Sequence, residues 1–262
     1  MRSVLMFMTL ARPTTSCLIF ASVFLPIAAR SGDAYDSFRK ALPTLFIAMC
    51  TFIVNDIDDV EADQVNHPHR PLPSGYVLLS SATVFYFISL AIALFSVKFF
   101  TMERISFFYY TLLLLGVNYQ YAEEYLPNFK SFYVASVSTV PILIVINSLS
   151  GADQLYLVAA SVFFFVLGRE ILLDFLDQAA DKLSFIHSMS RAQLTICAFS
   201  CQVIGLSFLS TLVRNSVGVM VLLLISTLTP LSLLWWLKSP EPRKAAGLMK
   251  AQMYIGLYFL IS

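Results

Sequence analysis

The sequence is poor in charge. Lys, Arg, Asp and Glu make up 13% of its 262 residues, about half the share of a soluble domain. With 58% hydrophobic residues and a mean hydropathy of +0.77, that shortage excludes water as the solvent for most of the chain. The net charge is only +1, which excludes an electrostatic grip on nucleic acid. No Gly-rich or Ser-rich linker divides the chain, so residues 1–262 read as one domain. Cysteine is sparse. Cys17, Cys50, Cys197 and Cys201 sit in apolar stretches without a CxxC pair, and they read as small packing residues that say nothing of redox compartment. The apolar Met1–Leu10 stretch lacks an A-x-A-like cleavage site and reads as the lead-in to a membrane helix, not as a removed segment.

What the sequence has instead is long apolar runs. A spanning helix needs about 20 mostly apolar residues. Nine segments meet or approach that length: Thr14–Ala29, Ala41–Val54, Tyr76–Phe100, Ile105–Tyr121, Phe132–Leu149, Leu155–Leu173, Ala192–Leu212, Val217–Leu237 and Ala245–Ser262. They are apolar nearly all round, as membrane spans are. The fold class is therefore an all-α, multi-pass integral membrane protein of about nine transmembrane helices. With the N-terminus cytoplasmic, nine Lys and Arg fall inside against six outside, a modest bias by the positive-inside rule. The second and sixth helices both exit on the same face, whichever orientation holds, and in this one that face is cytoplasmic.

The acidic residues cluster at those two exits. The first window is Asn55-Asp56-Ile57-Asp58-Asp59-Val60-Glu61-Ala62-Asp63, and the second runs from Arg169-Glu170 through Asp174 and Asp177 to Asp181. On a helix, Asn55, Asp59 and Asp63 form one stripe, and Glu170, Asp174, Asp177 and Asp181 form another. Like charges stacked on one face destabilise a helix, and more so near membrane depth. Arg12, Arg70, Arg169 and Lys182 are the nearby cations. A divalent ion offsets the charge better. Hard Mg²⁺ takes carboxylates together with substrate phosphates and water, so the stripes point to a metal-bridged diphosphate. An acidic ion pathway is the competing reading, but it leaves the Pro-rich loop that follows unexplained. That loop, Asn66-His67-Pro68-His69-Arg70-Pro71-Leu72-Pro73-Ser74-Gly75, cannot continue a helix. It carries Arg70, whose planar fork suits phosphate.

These residues resemble the UbiA superfamily of intramembrane prenyltransferases. Asn55-Asp56-x-x-Asp59-x-x-x-Asp63 matches that family's NDxxDxxxD signature, and the Pro-rich run is similar to its continuation. Asp177-x-x-x-Asp181 resembles the DxxxD of the second signature, and Arg12-Pro13 also fits. The resemblance implies helices around a central cavity open laterally to lipid. It implies two or more Mg²⁺ ions, held by Asn55, Asp59 and Asp63 and by Asp174, Asp177 and Asp181. The six aspartates, with Asp56 in a supporting role, form the catalytic set. Arg12, Arg70, Asn55, Tyr121 and Lys182 are the candidate diphosphate-binding residues. The implied reaction ionises an isoprenyl diphosphate and passes the prenyl group to an aromatic or other lipophilic acceptor. A membrane terpene cyclase acting on farnesyl or geranylgeranyl diphosphate, without an external acceptor, is the alternative. The 23 Phe and 12 Tyr suit carbocation chemistry, though lipid-facing use accounts for them equally well. Asn118, Tyr119, Tyr121 and Asn147 either line the cavity or bridge helices. The chain departs from the family at the fourth exit. Many members place a Lys four or five residues after the Tyr. Here Tyr121 is followed by Glu123, Glu124, Tyr125 and Leu126, and Lys130 is the next cation. Leu173 stands where some relatives have Lys.

Overall fold

The computed structural model describes residues 7–176, 188–213, 215–238, 247–249, 251–252 and 255, and every regular element among them is helical. Helix α1 is Pro13–Ser31 and α2 is Ala34–Asp58. The short α3, Val60–Asn66, follows at once. Then come α4 (Leu79–Phe100), α5 (Glu103–Val117) and α6 (Tyr119–Tyr125). A 3₁₀ turn at Pro127–Phe129 leads into α7 (Lys130–Ser148). The remaining helices are α8 (Leu155–Leu176), α9 (Arg191–Ser210) and α10 (Ser216–Lys238). Seven helices among the described residues are long and apolar enough to cross a membrane: α1, α2, α4, α7, α8, α9 and α10. This is a multi-pass membrane protein.

Local chemistry sets the helix ends. Pro13 takes the first turn of α1, where its missing N–H costs nothing. Gly32 closes that helix at φ 70°, its N–H donating to the Ala28 carbonyl. The Asp33 carboxylate caps α2 by accepting from the Asp36 N–H. Ser190 and Gln193 form a reciprocal capping box on α9.

The expected fourth span, Ile105–Tyr121, differs in detail. It is realised as the 15-residue α5 followed by α6, with the break at Asn118. The Asn118 N–H and side-chain amide both donate to the Leu114 carbonyl. An Asn side chain that competes for a helix carbonyl ends the ladder there. The expected ninth span, Ala245–Ser262, falls largely outside the described residues, though residues 247–249 and 251–252 are helical.

The chain clusters into two compact units, Met1–Tyr121 with Asn147–Ser150, and Ala122–Ile146 with Gly151–Ser262. In the first, α2 is the hub, packed on α1, α4 and α5. Its buried residues, including Ser37, Ala41, Thr44, Ile47, Ala48 and Ile53, run down to Asp56. In the second unit α8 packs on α9. Glycine permits the approach. A Cβ at Gly168 would stand 3.0 Å from the Ala198 carbonyl oxygen, and one at Gly205 would stand 3.1 Å from that of Ser161. Small residues at such seams let helix backbones come close where lipid supplies no hydrophobic drive.

Candidate active site

The first acidic stripe survives the boundary between α2 and α3. The Asp59 N–H donates to the Asn55 carbonyl at 2.9 Å, and the Asp63 N–H to the Asp59 carbonyl at 2.8 Å. Successive i→i−4 bonds therefore keep Asn55, Asp59 and Asp63 on one line, one turn apart. Asn55 and Asp59 are half-buried, Asp58 is exposed and points away, and Asp63 is buried.

Asp56 is more central than the sequence suggests. It is only 5% exposed and receives two arginines. Arg12 Nη2 lies 2.5 Å from Asp56 Oδ1, and Arg70 Nη1 lies 3.7 Å from the same oxygen. Arg70 Nη1 also reaches Asp63 Oδ2 at 2.6 Å. Asp56 and Asp63 stand seven residues apart, two turns along one side, so one guanidinium clamps both. The Arg12 guanidinium also stacks over the Phe52 ring, 5.0 Å from its centroid.

A hydrophobic cluster holds both arginines in place. Leu10 and Ala11, just before Arg12, pack with Leu72 and Val77, which follow Arg70, and with Ile53 and Ala82. Arg12 itself sits at φ 44°, the one described residue other than glycine with positive φ. Such backbone persists only where the surroundings over-determine it, here by the apolar anchor on one side and the carboxylate on the other. Tight turns fold the Pro-rich loop. The Ser74 hydroxyl donates to the Arg70 carbonyl at 2.6 Å, and Gly75 supplies φ 74°. His67 and His69 meet edge to face, 6.2 Å between centroids.

In the second unit, Asp174 is buried on α8. The Ser131 hydroxyl donates to its Oδ2, and Lys130 Nζ lies 3.7 Å from its Oδ1. The same Nζ lies 2.6 Å from Glu123 Oε1. Lys130 thus joins two carboxylates, one from α6 and one from α8. Sequence reading left Lys130 without an acidic partner and did not single out Ser131. The available signal was a Lys-Ser pair opening an otherwise apolar helix. Arg169 pairs with its neighbour Glu170. Asp177, Asp181 and Lys182 lie outside the described residues. Tyr121 is 62% exposed.

The donors present fit a hard cation. Among the described residues, no three His, Cys, Asp or Glu side chains gather closely enough to hold a metal by themselves. Asn55 Oδ1, however, is buried and has no hydrogen-bond partner, and it lies on the line that carries Asp59 and Asp63. An oxygen-only set completed by substrate phosphate and water is the habit of Mg²⁺.

Seven spans among the described residues define a multi-pass membrane protein, and Arg12 and Arg70 meet Asp56 and Asp63 at the end of α2 and in α3. Residues 5–257 match the UbiA prenyltransferase family, and the chain belongs to that family. Its similar proteins include digeranylgeranylglyceryl phosphate synthases of Sulfolobus acidocaldarius, 28% identical over 58% of this chain and 56% of that protein, and of Methanococcus aeolicus, 29% identical over 52% and 48%. The chain thus spans about half the length of these curated relatives. Solved structures share the fold. One, from work on digeranylgeranylglyceryl phosphate synthase in membranes, aligns over 100% of this chain and 98% of its own at 20% identity and a TM-score of 0.75. A UbiA homologue from Archaeoglobus fulgidus, bound to GPP and Mg²⁺, aligns over 97% and 99% at 14% identity and a TM-score of 0.63.

Proposed function

We propose that this prenyltransferase binds an isoprenyl diphosphate with Mg²⁺ at Asn55, Asp59 and Asp63 and at Asp174, Asp177 and Asp181, two or more ions in all, with both acidic helix ends on the cytoplasmic side. Residues 1–262 work as one domain in this reading, since the family match runs through both units. The observation that carries it is the unpartnered Asn55 Oδ1 in line with Asp59 and Asp63, beside Asp56 and its two arginines. Mg²⁺ bound there supplies Lewis-acid neutralisation of the departing diphosphate.

The chain's own residues do the rest. Asp56 and Asp63 hold Arg12 and Arg70 at the mouth, where their free donors receive phosphate oxygens. Lys130, braced by Glu123 and Asp174, is a further candidate cation for the diphosphate, and Tyr121 and Lys182 remain candidate donors to it. The bond from prenyl carbon to diphosphate oxygen breaks, diphosphate leaves with the electron pair, and a lipophilic acceptor bonds to the prenyl carbon and gives up a proton. The similar proteins are digeranylgeranylglyceryl phosphate synthases, so a glyceryl phosphate is the first acceptor to offer.

Purified protein is incubated with Mg²⁺ and geranyl, farnesyl or geranylgeranyl diphosphate, with and without acceptor. Release of diphosphate only when acceptor is present supports transfer. Release with a cyclised product and no acceptor identifies a cyclase. No release with any donor sinks the proposal.

A further inference from the structure

Ser131 stands in the first turn of α7 and is 4% exposed. Serines elsewhere in the spans donate to a carbonyl three or four residues back: Ser96 to Ala93, Ser136 to Phe132, Ser226 to Leu223 and Ser232 to Thr229. That is the ordinary use of a hydroxyl inside a helix. Ser131 departs from it. Three and four residues back lie Asn128 and Pro127, in the 3₁₀ turn before α7. Its hydroxyl donates instead to Asp174 Oδ2 on α8, 43 residues away in sequence. Asp174 is itself 5% exposed, so the bond joins two buried groups of the second unit.

The bond fixes what the aspartate rotamer leaves open. The last torsion of Asp joins a tetrahedral carbon to a planar carboxylate and turns within a broad, roughly two-fold well. Rotamer preference therefore does not hold the carboxylate plane, whereas a donor on one oxygen does. Lys130 stands by the other oxygen, its Nζ 3.7 Å from Oδ1, which is a charge contact and too long for a hydrogen bond. Lys130 is also drawn to Glu123 Oε1 at 2.6 Å. The Ser131 hydroxyl, not the Lys130 ammonium, is thus the group that sets how Asp174 is turned. One hydroxyl takes one of about four acceptor positions of a carboxylate, so the bond orients Asp174 without exhausting it as a ligand.

A carboxylate that binds metal works best with such a partner. Hydrogen bonds to ligating side chains fix their orientation, and losing one costs roughly 10–100-fold in metal affinity. We propose that Ser131 is a positioning residue for Mg²⁺ binding: its hydroxyl holds the Asp174 carboxylate in the orientation that takes the ion. That role rests on Asp174 as a metal ligand, as proposed above, and Ser131 acts through Asp174 alone.

The test uses the full chain in detergent. Binding of a non-ionising thiolo analogue of geranylgeranyl diphosphate is followed as Mg²⁺ is titrated, so that no turnover enters. Ser131→Ala should raise the Mg²⁺ concentration for half-maximal binding about tenfold or more, and saturating Mg²⁺ should restore wild-type binding of the analogue. Ser131→Thr, which keeps the hydroxyl, should recover most of that loss. Ser131→Cys keeps the volume with only a weak donor, and it carries the same prediction as Ser131→Ala should that variant not fold. In the Asp174→Ala background, Ser131→Ala should add nothing. A hydroxyl that serves helix packing alone would lower Tm and leave the Mg²⁺ requirement where it is in wild type. That result, with the Mg²⁺ requirement raised in Asp174→Ala, overturns the role of Ser131 and leaves the metal reading standing. A full further loss in the Asp174→Ala background overturns it too. A wild-type Mg²⁺ requirement in Asp174→Ala itself overturns Asp174 as a ligand, and the role of Ser131 with it.

Discussion

Arg12 Nη2 meets Asp56 Oδ1 at 2.5 Å across 44 residues of sequence. The contact ties the turn before α1 to the end of α2. Arg12 is about one-third exposed and Asp56 is buried, so the arginine faces both the carboxylate and the mouth. Removing it leaves Asp56 with Arg70 alone, at 3.7 Å. Arg12→Ala should cost about 1–2 kcal/mol of stability, after allowing for solvent at the arginine. It should also raise KM for the diphosphate donor about tenfold. Arg12→Lys should recover stability better than KM, because an ammonium cannot reproduce the planar fork. Thermal unfolding and steady-state kinetics on the same preparations separate the two effects.

Asp59 and Asp56 should respond differently to substitution. Asp59 is half-buried on the line proposed to hold the metal, so Asp59→Ala should abolish turnover and cost less Tm than Asp56→Ala. Asp56→Ala leaves two arginines without their shared carboxylate and should lower Tm by several degrees as well. Wild-type turnover in Asp59→Ala would refute the metal assignment.

Lys130 stands in the second unit between Glu123 Oε1 and Asp174 Oδ1. Lys130→Ala leaves two carboxylates facing each other, so it should lower both stability and donor affinity. Lys130→Ala/Glu123→Gln should regain stability, because the repulsion is gone, but not donor affinity, because the cation is still missing. Recovery of both would show that Lys130 serves the fold alone.

Gly116 tests the packing of the hub helix. A Cβ there would collide with the Thr51 hydroxyl and stand 3.3 Å from its Cβ and Cγ2. Gly116→Ala should destabilise the first unit by about 1–3 kcal/mol through overpacking. Thr51→Ala should relieve most of that loss, since it removes the colliding atoms. Tm of the single and double variants decides it.

Much of this was legible in the sequence because spacing on a helix is geometry. Asn55, Asp59 and Asp63 fall on one line by periodicity alone, and the backbone ladder through Asp59 keeps them there. Apolar runs gave the spans for the same reason. What spacing cannot carry is which partner a side chain finds across the fold. Asp56 lies off the expected stripe, and only the packing of Leu10, Leu72 and Val77 brings Arg12 and Arg70 to it. Lys130 was visible only as the next cation after Tyr121, and its link to Asp174 depends on how α7 meets α8. The end of the fourth span was missed because Asn118 bonds locally to Leu114, a choice that hydropathy does not register.

The central claim is that aspartate-bound Mg²⁺ holds the donor's diphosphate. Its most direct test is equilibrium binding of a non-ionising thiolo analogue of farnesyl or geranylgeranyl diphosphate to wild type and to Asp59→Ala, each with Mg²⁺ and with EDTA. The account predicts that wild type binds with Mg²⁺, that EDTA weakens binding at least about tenfold, and that Asp59→Ala binds weakly in both conditions. Equal affinity in all four measurements would contradict it.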